Sequence, residues 1–154
     1  ELVKKANKQK PSAIIIGCFD DTGLEQAREI SLCPVLGIGE SSFLLSYLFS
    51  GKTAVITTVH EAVPIIKKNI KNAGYSTLIS EVIAADTEVL DLEFSPAQSA
   101  VKFAQASKSL GGSTQNIILG CAGAVKIKDE FETITGYRSF DGVTSAAKLC
   151  RALL

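Results

Sequence analysis

"AIIIGCFDDTG", residues 13–23, and "NIILGCAGAVK", residues 116–126, have the same form: branched apolar residues, then glycine, then cysteine. Runs this short, rich in isoleucine and with no polar alternation, match strands buried on both faces of a parallel sheet. In such sheets ligands sit beyond the carboxyl ends of the strands, where the following helix presents its N-terminus. Cys18 and Cys121 both occupy that position. The paired motif thus bears on the fold and on where chemistry is to be sought.

Outward from these two strands the same alternation continues. The pattern predicts further strands over 34–38, 53–58, 77–84, 89–92 and 138–140, with the quoted ones at 13–16 and 116–119. Helices are predicted over 24–30, 42–49, 64–73, 96–110, 125–134 and 144–153, and "ELVKKANKQK" reads as the end of another. "SPAQ" places Ser95 at an N-cap and Pro96 at the first helical position, and "TGLE" offers Thr22 and Glu25 as a capping box. Gly74 and Gly111-Gly112 close helices. Strands alternating with helices argue for α/β layers around parallel sheets.

The two Gly-Cys pairs lie 103 positions apart, and the same offset carries Gly39 of "LGIGESS" onto Gly142 of "SFDGVTS". Ser42 falls on Ser145. An internal duplication explains these coincidences, giving two lobes related by an approximate two-fold axis with a cleft between them. The first lobe would comprise 1–51 plus 143–154, and the second 52–142. Only 17 residues precede Cys18, whereas 68 residues, counted from Thr53, precede Cys121. On that reading roughly fifty residues, one or two strand–helix units, are missing before Glu1. The absence of methionine fits the same expectation.

Composition narrows the partners. Sixteen basic residues balance sixteen acidic ones and 46% of the chain is apolar. With no basic stripe, nucleic acid and anionic membrane are poor partners, and no apolar run approaches a membrane span. The four cysteines form no CxxC and no zinc-like spacing with His60. Neither metal nor cofactor is implied, and free thiols point to a reducing, cytoplasmic compartment.

A helix N-terminus favours anions, so it lowers a thiol's pKa and can hold an oxyanion. Two thiols facing each other across a cleft could remove a proton from a carbon acid on one side and return it on the other. That is the geometry of a two-base racemase or epimerase, with a small molecule as partner.

"GCFDDTGLEQAREISLCPVLGIGESS", "TAVITT" and "IILGCAG…FDGV" together resemble the Asp/Glu/hydantoin racemase superfamily, in its hydantoin and allantoin racemase branch. Amino-acid racemases of that superfamily carry Asn-Thr beside the first cysteine. Here Phe19-Asp20-Asp21 follows Cys18, and Ala122-Gly123 follows Cys121, which favours cyclic ureides. The resemblance implies two flavodoxin-like lobes with parallel sheets and the active site in the cleft between them, with Cys18 and Cys121 as the acid/base pair and backbone amides binding the substrate carbonyls. It further implies that Phe19, Asp20, Glu40, Thr57, Thr58, Ala122 and Gly123 lie at the pocket, and it allows a homo-oligomer. Two departures stand out: the family's opening "NPN"-like segment is lacking, and Ala124 stands where methionine commonly follows "GCAG".

Other residues have plainer readings. Cys33 and Cys150 are expected as small core residues. "GIGES" is a weak phosphate-loop match. Asp20 and Asp21 are expected to favour the N-terminus of the helix that follows them, with Asp20 near the mouth of the pocket. His60 is expected on a loop facing solvent without an acid/base partner, and "KKNIKN" on a solvated helix face. An amino-acid racemase on the same scaffold, or a non-catalytic module that binds a nucleotide or senses thiols, remain the alternatives.

Overall fold

The computed structural model describes residues 1–153. Helix α1 (Leu2–Lys8) leads into strand β1 (Ile14–Ile16), helix α2 (Leu24–Ile30), strand β2 (Val35–Gly37) and helix α3 (Ile38–Tyr47). Then follow β3 (Lys52–Thr57), α4 (Ala62–Asn72), β4 (Ile79–Ala84), the short α5 (Asp91–Phe94) and α6 (Pro96–Ser107). The chain ends with β5 (Thr114–Gly120), a 3₁₀ turn over Ala122–Lys126, α7 (Lys128–Thr135), β6 (Arg138–Asp141) and α8 (Gly142–Leu153). Leu154, assigned above to the first lobe, lies outside the described residues.

All strand pairings are parallel, as the apolar runs predict: β1 pairs with β2, and a four-stranded sheet has the order β4-β3-β5-β6. Alternate residues of the central strands point to opposite faces, and both faces are buried. Ala54, Ile56, Ile117 and Leu119 meet Phe103 and Phe131 on one side. Val55 and Ile118 meet Ile66, Ile70, Phe43 and Phe19 on the other. This two-sided burial is why these strands are apolar throughout. Because Phe19, Ile38 and Phe43 share that second cluster, the β1–β2 unit and the larger sheet are packed through one core. Helices α3 and α8 also pack against each other.

Several local expectations are corrected. Residues 89–92 form no strand: Asp91 N–H bonds to the Glu88 carbonyl, and a helical turn follows. Only Leu92 of the segment is fully buried, while Val89 and Leu90 face outward, so the apolar pattern served a single anchor. Helix α3 begins at Ile38, immediately after β2, and the 125–134 helix is a 3₁₀ turn followed by α7. Thr22 and Glu25 make no capping box among the described residues. Gly23 is the N-cap of α2, with φ +79° and no side-chain cap bond. Ser95 and Pro96 stand where predicted, although Ser95 gives no side-chain cap bond either. Cys33 and Cys150 are half-buried rather than core residues. In α4 the lysines of "KKNIKN" are exposed while Ile66 and Ile70 are buried.

Among the described residues, no helix is long and apolar enough to cross a membrane.

Candidate active site

The ladders place both cysteines just past paired strand ends. Gly120 pairs with Thr57 at the carboxyl end of β5, and Cys121 is the next residue. Ile16 pairs with Gly37 at the end of β1, two residues before Cys18. The two glycines of the repeated pair differ in their reasons. A Cβ on Gly120 would lie 3.0 Å from a Val55 methyl and 3.3 Å from the Ile56 carbonyl, so close strand packing favours glycine there. A Cβ on Gly17 would meet nothing within 4 Å among the described residues.

Cys121 is half-buried in extended conformation, and the 3₁₀ turn starts at Ala122. The backbone amides of Gly123 and Ala122 lie close enough to its sulfur to favour the thiolate. Burial works against them and is the larger effect, so the Cys121 pKa lies above the ordinary thiol value. The charges of Cys18 and Asp20 are near enough to push it in the same direction. A helical N-terminus therefore does not lower this thiol's pKa as the sequence pattern suggests, because desolvation outweighs two amide bonds.

Cys18 is exposed, and its carbonyl accepts the Asp21 N–H at 3.0 Å. Asp20 is half-buried, and burial raises its pKa. The Asn69 side chain of α4 donates to the Asp20 carbonyl at 2.7 Å and ties the loop to the larger sheet's flank. Asp21 departs from expectation. Its carboxylate binds the start of α3, not α2, accepting from Gly39 N at 3.0 Å and Glu40 N at 2.7 Å.

The remaining candidates divide between the cleft region and the framework. Ala122 and Gly123 act on the Cys121 sulfur through their amides. Thr57 is buried, with its hydroxyl donating to the Gly120 carbonyl at 2.9 Å, directly before Cys121. Thr58 is buried too, and its carbonyl accepts the Thr87 N–H. Phe19 is 4% exposed and stands edge-on to Phe43, so its side chain belongs to the core. Glu40 is paired with Arg28 at 2.5 Å. It helps line a cavity of about 660 Å³ with Asp20, Asp21, Lys68 and Asn69, next to the cysteine region rather than around it.

His60 is solvent-facing as expected, but it does have a partner: Nε2 lies 2.9 Å from Asp86 Oδ1. The parallel pairing of β3 with β4 brings their following loops together, a proximity that spacing along the chain conceals. Sequence reading also missed Asn69, whose only signal was a polar residue within an otherwise ordinary amphipathic helix.

The sequence matches the profile described as Asp/Glu/Hydantoin racemase over residues 1–150. The chain belongs to the Asp/Glu/hydantoin racemase family. It is 36% identical to a hydantoin racemase of Rhizobium meliloti, covering 99% of this chain and 64% of that protein. A hydantoin racemase of a Pseudomonas species (strain NS671) is 28% identical, over all of this chain and 63% of its own. Among solved structures, the allantoin racemase of Klebsiella pneumoniae superposes with a TM-score of 0.89 at 25% identity, covering 99% of this chain and 63% of that one. A glutamate racemase of Bacillus anthracis shares the fold, with a TM-score of 0.76 at 18% identity. The chain thus spans just under two thirds of the length of these relatives. Within this racemase family the two Gly-Cys pairs acquire a shared context: both cysteines stand at the carboxyl ends of parallel strands, beside Asp20.

Proposed function

We propose that this chain carries the acid/base centre of a cofactor-independent racemase acting on a cyclic ureide, allantoin or a 5-substituted hydantoin. The observation that carries the reading is the convergence of Cys18, Asp20 and Cys121 beyond the ends of two parallel strands. The similarity to proteins named hydantoin and allantoin racemase supports the substrate class.

One cysteine, as thiolate, takes the C5 proton, and the electron pair moves onto the adjacent ring carbonyl to give an enolate. The other cysteine, as thiol, returns a proton to C5 from the opposite face. Each sulfur ends in the protonation state in which its partner began. A hydantoin suits this chemistry because C5 lies between a carbonyl and an amide nitrogen. Burial favours Cys121 as the thiol, so it is the proton donor of the resting pair. Asp20 lines the approach, and the Ala122 and Gly123 amides hold Cys121. The same reading groups residues 1–51 with 143–154 as one lobe and 52–142 as the other, which the packing of α8 against α3 supports. The free cysteines accord with a reducing compartment such as the cytoplasm.

The test follows one enantiomer of allantoin, then of 5-benzylhydantoin, in D₂O, recording optical activity and the C5 proton signal together. Loss of optical activity matched by deuterium uptake is the expected result. Cys18→Ser and Cys121→Ser should each abolish racemisation while leaving exchange on opposite enantiomers. Equal residual racemisation in both variants would rule out the two-base assignment, and turnover of free amino acids alone would move the substrate class.

A further inference from the structure

We infer that Asp21 is the positioning residue of the Cys18 loop: its carboxylate, docked on the first-turn amides of α3, sets where the Cys18 sulfur stands relative to Cys121. The catalytic consequence rests on the racemase reading above, whereas the structural one does not.

Four features converge on this side chain. Its two oxygens each accept one amide, Gly39 N to Oδ1 and Glu40 N to Oδ2. Its backbone closes the turn, because the Asp21 N–H reaches the Cys18 carbonyl and the Asp21 carbonyl accepts the Leu24 N–H, both at 3.0 Å. Its φ is +48°, a left-handed value that non-glycine residues adopt rarely, with Asp and Asn among the more tolerant. Finally, a Cβ on Gly37 or Gly39 would overlap its carboxylate, and one on Gly39 would also strike the Phe19 carbonyl.

The "GIGE" motif thereby gains a physical reading. Its glycines leave room for the loop from the first cysteine, and the amides that a phosphate loop would offer to a ligand are filled by the chain's own carboxylate. Between Cys18 and Asp21, Phe19 inserts beside Phe43 of the same helix. The three-residue link from the cysteine is thus held to α3 at two points, one polar and one apolar.

The polar hold depends on charge. Burial pushes the Asp21 carboxyl up to about 6, despite its two amide bonds. Around it stand Arg28 and Glu25 of α2, Glu40 of α3, Lys68 of α4 and Asp20 of its own loop. When Asp21 is protonated, one oxygen becomes a hydroxyl, a donor and a poorer acceptor for a backbone N–H. One of the loop's two amide bonds then weakens.

The experiment combines NMR with kinetics on the purified protein and its Asp21→Asn and Asp21→Ala variants. In the parent, the Cys18 backbone resonances should move with a midpoint near pH 6. Those of Cys33 and Cys150 should not follow. Asp21→Asn should abolish the titration while keeping one acceptor, which separates Asp21 from Asp20 and Glu40. In steady-state assays, Asp21→Ala should lower kcat by about a hundredfold with KM changed less than about threefold, and Asp21→Asn should fall between. A merely structural role would lower the melting temperature and leave the kcat of the folded protein intact. Cys18 resonances that ignore pH, or that titrate unchanged in Asp21→Asn, would overturn the inference, as would an Asp21→Ala protein with parental kcat. If the parent racemises no ureide, the proposed function fails by itself, and the Cys18 titration still decides the role of Asp21.

Discussion

At the residue scale the two cysteines are alike in sequence and unlike in surroundings. Cys18 is exposed on a loop, whereas Cys121 is half-buried under two amides, and burial raises its pKa. For the reaction direction in which Cys121 donates the proton, its thiol form persists into alkaline solution. Ionisation of Cys121 should therefore centre above the ordinary thiol value of 9.0. The rate of Cys121 alkylation against pH in Cys18→Ser checks this, and a midpoint at or below 9.0 would show that the amides prevail over burial. Thr57→Val is a second probe, since it removes the hydroxyl bond to the Gly120 carbonyl while conserving shape. A loss of about 1 kcal/mol in urea unfolding is expected, the usual net value of one such bond.

At the element scale the internal repeat holds in order but not in register. Strand, cysteine, helix, strand and helix recur, and α3 and α8, the last helices of the two copies, pack together. However, Ile16 pairs with Gly37, 21 positions on, whereas Leu119 pairs with Asp141, 22 positions on. The helices also begin differently: α3 takes its carboxylate from a distant loop, while Asp141 caps α8 directly through Thr144 N at 2.7 Å. Near the second cysteine, α5 exists to deliver Leu92, whose side chain lies 3.1 Å from where a Cβ on Gly123 would stand. Leu92→Ala should cost about 2–5 kcal/mol by denaturation, the range for a fully buried leucine. It should also loosen the turn that holds the amides on Cys121, seen as faster hydrogen exchange at Ala122 and Gly123. Loss of stability without faster exchange would confine Leu92 to the core.

At the scale of the whole molecule, two carboxylates give stability opposite pH dependences. Asp21 has a folded pKa raised from 3.8 to about 6, so between those values the folded chain binds more protons than the unfolded one. Its ionisation therefore lowers stability as pH rises from about 4 to about 6, after which the effect levels off. The stability difference between parent and Asp21→Asn should shrink or reverse over that window in urea melts. Glu132 behaves in the opposite sense. Its bonds to Lys128 and to the Ser139 amide and hydroxyl outweigh burial and hold its pKa below 4.5. That contribution is present above 4.5 and is lost as the solution is acidified through the depressed value. Glu132→Gln should remove the acid-side loss and leave the Asp21 window unchanged.

What the sequence determined by itself was the class of the fold and the place of Cys18 and Cys121 beyond the carboxyl ends of parallel strands. Branched apolar runs without polar alternation point to parallel strands, although of the two runs before the cysteines only β5 is buried on both faces and Ile15 of β1 is exposed. A cysteine directly after such a run stands at the ligand end of the sheet. Tertiary structure decided the rest, because the deciding contacts join residues far apart in the chain. It decided that Phe19 is core and that Asp21 caps α3. It also decided that Asp86 meets His60, that residues 89–92 bend into a helix around one buried leucine, and that burial prevails over backbone amides at Cys121. Periodicity reports which face of an element is dry. It does not report which distant carboxylate or carbonyl will stand beside it, and those pairings set the burial of Cys121 and the placement of the loop that carries Cys18.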